Sequence, residues 1–361
     1  MRRRPFLTLW LAPWAAAAGQ PGPGASSPRA AVRFPDDFGG HPDARVEWWY
    51  VTGSLASGAR RWGFQVTFFR ASTGLAVDTA SRFAARELVF AHAALTDLEA
   101  RRLRQDQRIA RSGFGIAEAA RGETRVRLRD WSLVRAGPPG ASRYHAELSS
   151  APGAFALALD LGAHAEPLLQ GEGGLSRKGP GAGAFSHYYS EPQLDVSGTL
   201  RLDDRTAAVR GRAWLDHEWS DAYLDPEAAG WDWIGMNLDD GGALMAFRMR
   251  RRDGGVHHAG GSWRAPGGGV VRDFAPAEVA FAPRRTWHSA RSGATYPVEW
   301  DVTTPAGRYT VRALLDDQEI DSRASTGAIY WEGLSELLDA RGAQVGAGYL
   351  EMTGYAAAMK L

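Results

Sequence analysis

Apolar and polar residues alternate along most of this chain, in short runs broken by Gly, Asp and Pro. Successive side chains of a strand point to opposite faces, so alternation over roughly 4–8 residues predicts β-strands. Runs at 46–55, 61–70, 87–95, 125–134, 154–161, 193–202, 207–214, 231–238, 243–249, 298–303, 309–314 and 349–355 fit that pattern. Asp239-Asp-Gly-Gly242 joins two of them as a tight hairpin turn, because Gly and Asp tolerate the positive φ such turns require. A helical apolar period is confined to 84–90 and 334–341. Strands at this spacing without intervening helices predict an all-β protein of antiparallel barrels or sandwiches. One unit recurs: a Trp-rich strand, a turn and an Arg-ending strand. It runs from Glu47-Trp-Trp-Tyr50 to Phe68-Phe-Arg70 and again from Trp231-Asp-Trp233 to Phe247-Arg248, which predicts two related β-domains.

The boundary between them is expected in the turn-rich segment 220–230, giving domains at 31–220 and 221–361. A chain of 361 residues is long enough to bury two cores. Its 14 Trp and 43 Gly favour aromatic-lined β-structure with many turns over a helical bundle. The first residues read differently. Met1-Arg-Arg-Arg4, a short apolar stretch and Ala16-Ala-Ala18 have the layout of a cleaved export signal at 1–18, too short to span a membrane. A Pro/Gly/Ser/Ala-rich lead-in at 19–30 follows. A periplasmic or secreted location is therefore expected. Setting aside the three N-terminal arginines turns the formal charge of +1 into −2, and no basic stripe remains for nucleic acid. The absence of cysteine excludes disulfides, thiol nucleophiles and thiolate metal sites.

The densest candidate chemistry lies in Trp214-Leu-Asp-His-Glu-Trp-Ser220 and Gly230-Trp-Asp-Trp233. By alternation Trp214, Asp216 and Glu218 share one face of a strand, and Leu215, His217 and Trp219 the other. Ionisable groups beside large aromatics suit the wall of an apolar pocket holding a few acid/base groups. Asp216, His217, Glu218 and Trp219 are the catalytic candidates. A buried carboxyl with a raised pKa can protonate an alkene, and Trp faces can stabilise the cation that follows. A structural hydrogen-bonded network where the domains meet fits the same residues. Trp231, Asp232 and Trp233 are candidate ligand contacts, with Asp232 alternatively paired to an arginine at the interface. Glu47 and Trp49 share a face of the first strand and fit either ligand contacts or core packing. His92 fits either a place in the barrel beside Glu47 or a packed core position. Tyr188 and Tyr189 fit a pocket mouth or plain packing. His41, before Pro42, reads as a loop residue, and His257-His258 as a surface turn.

These segments resemble the secreted lipocalin-like family that includes carotenoid 1,2-hydratase (hydroxyneurosporene synthase) and the AttH-type proteins. The resemblance rests on His41-Pro-Asp-Ala-Arg-Val-Glu-Trp-Trp-Tyr-Val-Thr-Gly53, Phe68-Phe-Arg70, Ala91-His-Ala-Ala-Leu-Thr-Asp97 and Tyr188-Tyr-Ser-Glu-Pro192. It continues through Trp214–Ser220, Gly230-Trp-Asp-Trp233, Leu238-Asp-Asp-Gly241, Tyr330-Trp-Glu-Gly333 and Gly346-Ala-Gly-Tyr-Leu-Glu-Met-Thr-Gly-Tyr355. It implies two calycin-like β-barrel or sandwich domains packed side by side, with a pocket in or between them. It also implies a catalytic role for the His and Trp of an Asp-His-x-Trp motif, here His217 and Trp219. Glu218 stands where the hydratases tend to have a neutral residue, which points to the AttH-type branch. Members of that branch are often encoded beside ABC-transporter permeases, which implies such a permease as a partner.

Several chemistries lack their signatures. There is no Gly-x-Ser-x-Gly elbow, no His-Glu-x-x-His and no phosphate-cradling glycine loop, so no metal and no cofactor is expected. The resulting expectation is an exported protein that binds an apolar isoprenoid or acyl-chain molecule. It would act on that molecule as a hydratase or isomerase (a hydro-lyase if hydration), or hold it as a non-catalytic lipid carrier. A secreted hydrolase is the least supported reading.

Overall fold

The computed structural model describes residues 31–359 apart from 76–80, 82, 182 and 223. The expected signal at 1–18 and lead-in at 19–30 fall outside the described residues. Among those described there is no α-helix, and the strands form two antiparallel sheets, of 13 and 10 strands.

The strand Val46–Ser57 lies inside the first sheet, between Arg60–Ser72 and Arg205–Ser220. The chain beyond Arg60–Ser72 adds Glu87–Asp97 and Arg102–Arg111, while Phe185–Leu202 and its neighbours extend the opposite side. The sheet curls until its edges approach. Arg104 near one edge reaches Asp203, and Arg108 reaches Asp130 and the Ser149 carbonyl. The result is a nearly closed barrel. Its interior takes every second side chain of these strands: Trp49, Val51, Val66, Phe68, Leu157 and Leu215 are all buried there. Each contributes about 1.5–3 kcal/mol by leaving water. The residues before the first strand close one end. Phe38 packs on Phe34 and Tyr189, and the Arg135 guanidinium lies over its ring.

The second sheet is built likewise around Ala228–Leu238, flanked by Ala243–Arg251 and Gln344–Met352. Ile234, Met236, Trp300, Val302, Trp331 and Leu350 fill a core of its own. The outer faces of the two central regions meet in a third buried layer. Tyr50, Tyr188 and Trp214 come from the first sheet, and Trp233, Met245, Phe247, Leu334 and Tyr349 from the second. The sheets approach closely at Gly63, where a Cβ would stand 2.8 Å from both Leu334 Cβ and the Tyr349 hydroxyl. A glycine is required there for want of space.

Four local expectations fail, each for a physical reason. The supposed helical period at 334–341 is the strand Ile329–Leu338 and the turn after it. Leu334 faces the layer between the sheets and Leu337 the second core, so a strand buried on both faces imitates helical spacing. Likewise 84–90 runs into the strand Glu87–Asp97. The run at 125–134 is two strands, Arg125–Leu128 and Trp131–Ala136, joined by a turn with Arg129 at φ 59°. His257 and His258 lie in the strand Val256–Arg264, and the His257 side chain is 1% exposed with Nε2 3.4 Å from Asp225. The glycines after them mark crowding: a Cβ on Gly261 would stand 2.3 Å from the Met245 carbonyl oxygen.

Candidate functional site

The strand Arg205–Ser220 presents its ionisable residues to two different compartments. His217 and Trp219 enter the first barrel, while Asp216 and Glu218 face the layer between the sheets. The sequence candidates therefore divide into two centres.

Inside the barrel, pairing of Trp49 with His217 and of Glu47 with both Trp219 and Arg70 gathers one cluster. Glu47 Oε1 is 2.9 Å from His217 Nε2 and 2.7 Å from His41 Nδ1. Its Oε2 accepts from Arg70 Nε at 2.9 Å and from the His41 backbone N–H at 2.9 Å. The far ring nitrogens are also engaged, His217 Nδ1 with the Tyr189 hydroxyl at 3.1 Å and His41 Nε2 with Asp37 at 3.2 Å. Burial would raise the Glu47 pKa, but hydrogen bonds from His217 and His41 outweigh it and hold the carboxylate well below its ordinary range. Burial lowers the His217 pKa against the pull of Glu47. His41 goes the other way, because its bonds to Asp37 and Glu47 overcome burial. The rings are clamped: Trp219 stacks on His41 at 3.7 Å, and Trp49 on His217 at 4.5 Å. Among the described residues, His41, Glu47 and His217 are the group of metal-ligand type, with ligand atoms within 4.8 Å of one another.

The second centre lies between the sheets. Asp216 accepts from Ser190 and Trp214 at 2.6 Å each on Oδ1 and from Tyr188 at 2.7 Å on Oδ2. Burial nevertheless pushes its pKa up to about 7. Glu218 is bound by Lys178 at 2.7 Å and by the Ser186 hydroxyl, with burial raising its pKa against the lysine. The Lys178 ammonium lies over the Tyr188 and Phe247 rings. Trp233 donates to Tyr188 at 3.2 Å, and Tyr50 meets Trp233 edge-on. From the second sheet come Glu332 and Glu351, which stand directly opposite each other on adjacent strands. Glu351 accepts from Trp231 Nε1 at 3.0 Å, and burial pushes its pKa up to about 7, with Asp216 and Glu218 adding to the effect. The Tyr50 hydroxyl is the one hydrogen-bonding neighbour of the Glu332 carboxyl among the described residues. Burial first, and Glu351 second, push its pKa well above the carboxylate range.

Two candidates lie elsewhere. His92 does not stand beside Glu47: it occupies the opposite face of its strand, with Nδ1 2.8 Å from the Tyr330 hydroxyl and Nε2 2.8 Å from Ser325. Burial holds its pKa down at about 3, so it is neutral. Asp232 does pair with arginines, Arg248 at 2.6 Å and Arg250 at 3.1 Å, but within the second sheet's interior rather than at the interface. Asp232 and Trp231 alternate, so only the tryptophans face the layer between the sheets. Residues the sequence reading passed over are His41, Arg70, Lys178, Glu332 and Glu351. Glu332 and Glu351 had a usable signal, since Tyr330-Trp-Glu-Gly333 and Tyr349-Leu-Glu351 place carboxylates among aromatics as Trp214–Ser220 does.

Fold and site together define an all-β protein of two antiparallel sheets, the first a nearly closed barrel, with buried ionisable groups inside it and between the sheets. Residues 25–355 match the AttH-like family, and the chain belongs to it. A putative AttH from Nitrosomonas europaea is 47% identical over 91% of this chain and 98% of its own, with a TM-score of 0.83. Kievitone hydratase from Nectria haematococca shares the fold at 14% identity, over 91% of this chain and 94% of its own, with a TM-score of 0.69. No curated protein matches the sequence.

Proposed function

We propose that this protein binds an apolar molecule of isoprenoid or acyl-chain type in the layer between its sheets and acts on it by acid/base chemistry, as a hydratase or isomerase. The single observation behind this reading is the Glu332–Glu351 pair. Two carboxyls directly opposed on adjacent strands and buried among aromatics are costly for stability. Such a pair holds a proton near neutral pH, as like charges in one site cannot both ionise. Glu351 then serves as the acid. It donates a proton to a double bond, and the tertiary cation lies against the faces of Trp231, Trp233 and Tyr50. Water adds to the cation in a hydratase, and the released proton returns to the carboxylate. Loss of a neighbouring proton instead gives a shifted double bond. Asp216, with Tyr188 and Ser190 on it, is the second proton carrier facing the layer. The kievitone hydratase likeness supports the fold's suitability for such work. The amino-terminal segment supports export, and the molecule would then meet its ligand outside the cytoplasm.

Mass spectrometry of solvent extracts tests this reading, comparing wild type with Glu351→Gln and His217→Ala. Wild type is expected to hold an apolar molecule together with a form differing by one water or by a double-bond position. Glu351→Gln is expected to hold the unaltered form alone. The same unaltered lipid in all three proteins would make this a carrier, and no lipid in any would remove the binding claim.

A further inference from the structure

We propose that His41, Glu47 and His217 form a binding site for a divalent first-row transition ion of the zinc type, inside the first barrel and separate from the layer between the sheets. The ligand set is two imidazoles and one carboxylate, which suits such ions. The three donor atoms lie within 4.8 Å of one another, with the imidazole nitrogens 2.7 and 2.9 Å from Glu47 Oε1. Donors at ~2.1 Å from a tetrahedral ion are ~3.4 Å apart, so an ion draws the two imidazoles together and away from direct contact with Glu47.

The surroundings are those of a metal site. Each atom not aimed at the centre is held from outside: His41 Nε2 by Asp37, His217 Nδ1 by the Tyr189 hydroxyl and Glu47 Oε2 by Arg70. Partners of this kind fix the tautomer and ring orientation of a metal-bound histidine. Stacking on Trp219 and Trp49 fixes the rings further. Charge balance points the same way. Glu47 and Glu87 flank the Arg70 guanidinium and Asp37 lies on His41, so these three carboxylates and one arginine leave two negative charges uncompensated when both imidazoles are neutral. A divalent ion neutralises them, displacing the protons that the rings share with Glu47. Glu47 and His217 are fully buried, while the His41 side chain is 20% exposed and gives the ion a way in. Three protein ligands leave at least one position for water or a small molecule, as in catalytic rather than structural zinc sites.

The test is titration of chelator-stripped, folded full-length protein with Zn2+ by calorimetry and with Co2+ by visible absorption. Wild type is expected to take up one equivalent, with a Co2+ spectrum showing nitrogen ligation. His41→Gln, in a loop, removes one ligand and is expected to abolish the Co2+ spectrum. Asp37→Asn leaves all three ligands and is expected to weaken Zn2+ binding by about 10–100-fold. No uptake by wild type, or equal uptake by wild type and His41→Gln, would mean that the cluster is a hydrogen-bonded network and nothing more.

Discussion

Glu47 and Asp232 hold the same place in their two sheets. Each lies on the fourth strand along its sheet, points into the core, is fully buried and stands directly opposite an arginine near the end of the next strand, Arg70 in one case and Arg248 in the other. The repeated sequence unit is thus a repeated ion pair. Removing one partner of such a pair leaves an uncompensated buried charge, which costs about 3–5 kcal/mol. Arg70→Met is expected to lose that much in denaturant unfolding, and Arg248→Met less, because Arg250 stays 3.1 Å from Asp232. A loss below 1 kcal/mol in both would mean the pairs do not compensate the buried carboxylates.

Burial of Glu351 sets a pH dependence. Its pKa is about 7 in the folded protein against an ordinary 4.5, so the folded state binds the proton more tightly than the unfolded chain. The stability tied to this group is fully present below pH 4.5 and is lost as pH rises through about 7. Subtracting unfolding curves of Glu351→Gln from those of wild type isolates the effect. The difference is expected to move steadily against wild type across that window, and a flat difference would contradict the assignment.

His92 gives the opposite sign. Held neutral with a folded pKa of about 3 against 6.5, it is expected to cost stability as pH falls below 6.5, when the unfolded chain takes up a proton that the folded protein refuses. His92→Phe should remove that dependence, while costing about 1–3 kcal/mol at neutral pH because Tyr330 and Ser325 lose a partner. Proton NMR of the imidazole, showing no titration between pH 5 and 8, would check the neutral state directly.

Contact between the sheets hinges on Gly63. Gly63→Ala puts a Cβ 2.8 Å from Leu334 Cβ, and the sheets must part to admit it. Overpacking of this kind costs about 1–3 kcal/mol. Thermal unfolding should show the loss, and tryptophan fluorescence should report the loosened layer through Trp214 and Trp233.

Much of this architecture is legible in alternation alone, because most strands have one face toward a core and one toward polar surroundings. Trp214–Ser220 was readable down to which residue faces which way. Reading failed where that premise fails. Leu334 and Leu337 are buried on opposite faces, so their strand lost its period. The site was harder. Glu47 lies 170 residues from His217, and only strand register brings them together. His41 was read as a loop residue, which it is, yet nothing in its neighbours tells that the loop folds back onto Glu47. The sequence neighbours of His217 misled by proximity: Asp216 and Glu218 are next to it in the chain and on the other side of the sheet in space.

Each sheet seals a core of its own, and the carboxylates proposed to do chemistry lie in neither. Residues of the shared layer can therefore be exchanged without opening either core, so a change of substrate need not cost the fold. A scaffold partitioned in this way is suited to diversification: one lineage can retune the layer for a new molecule while both cores stay as they are.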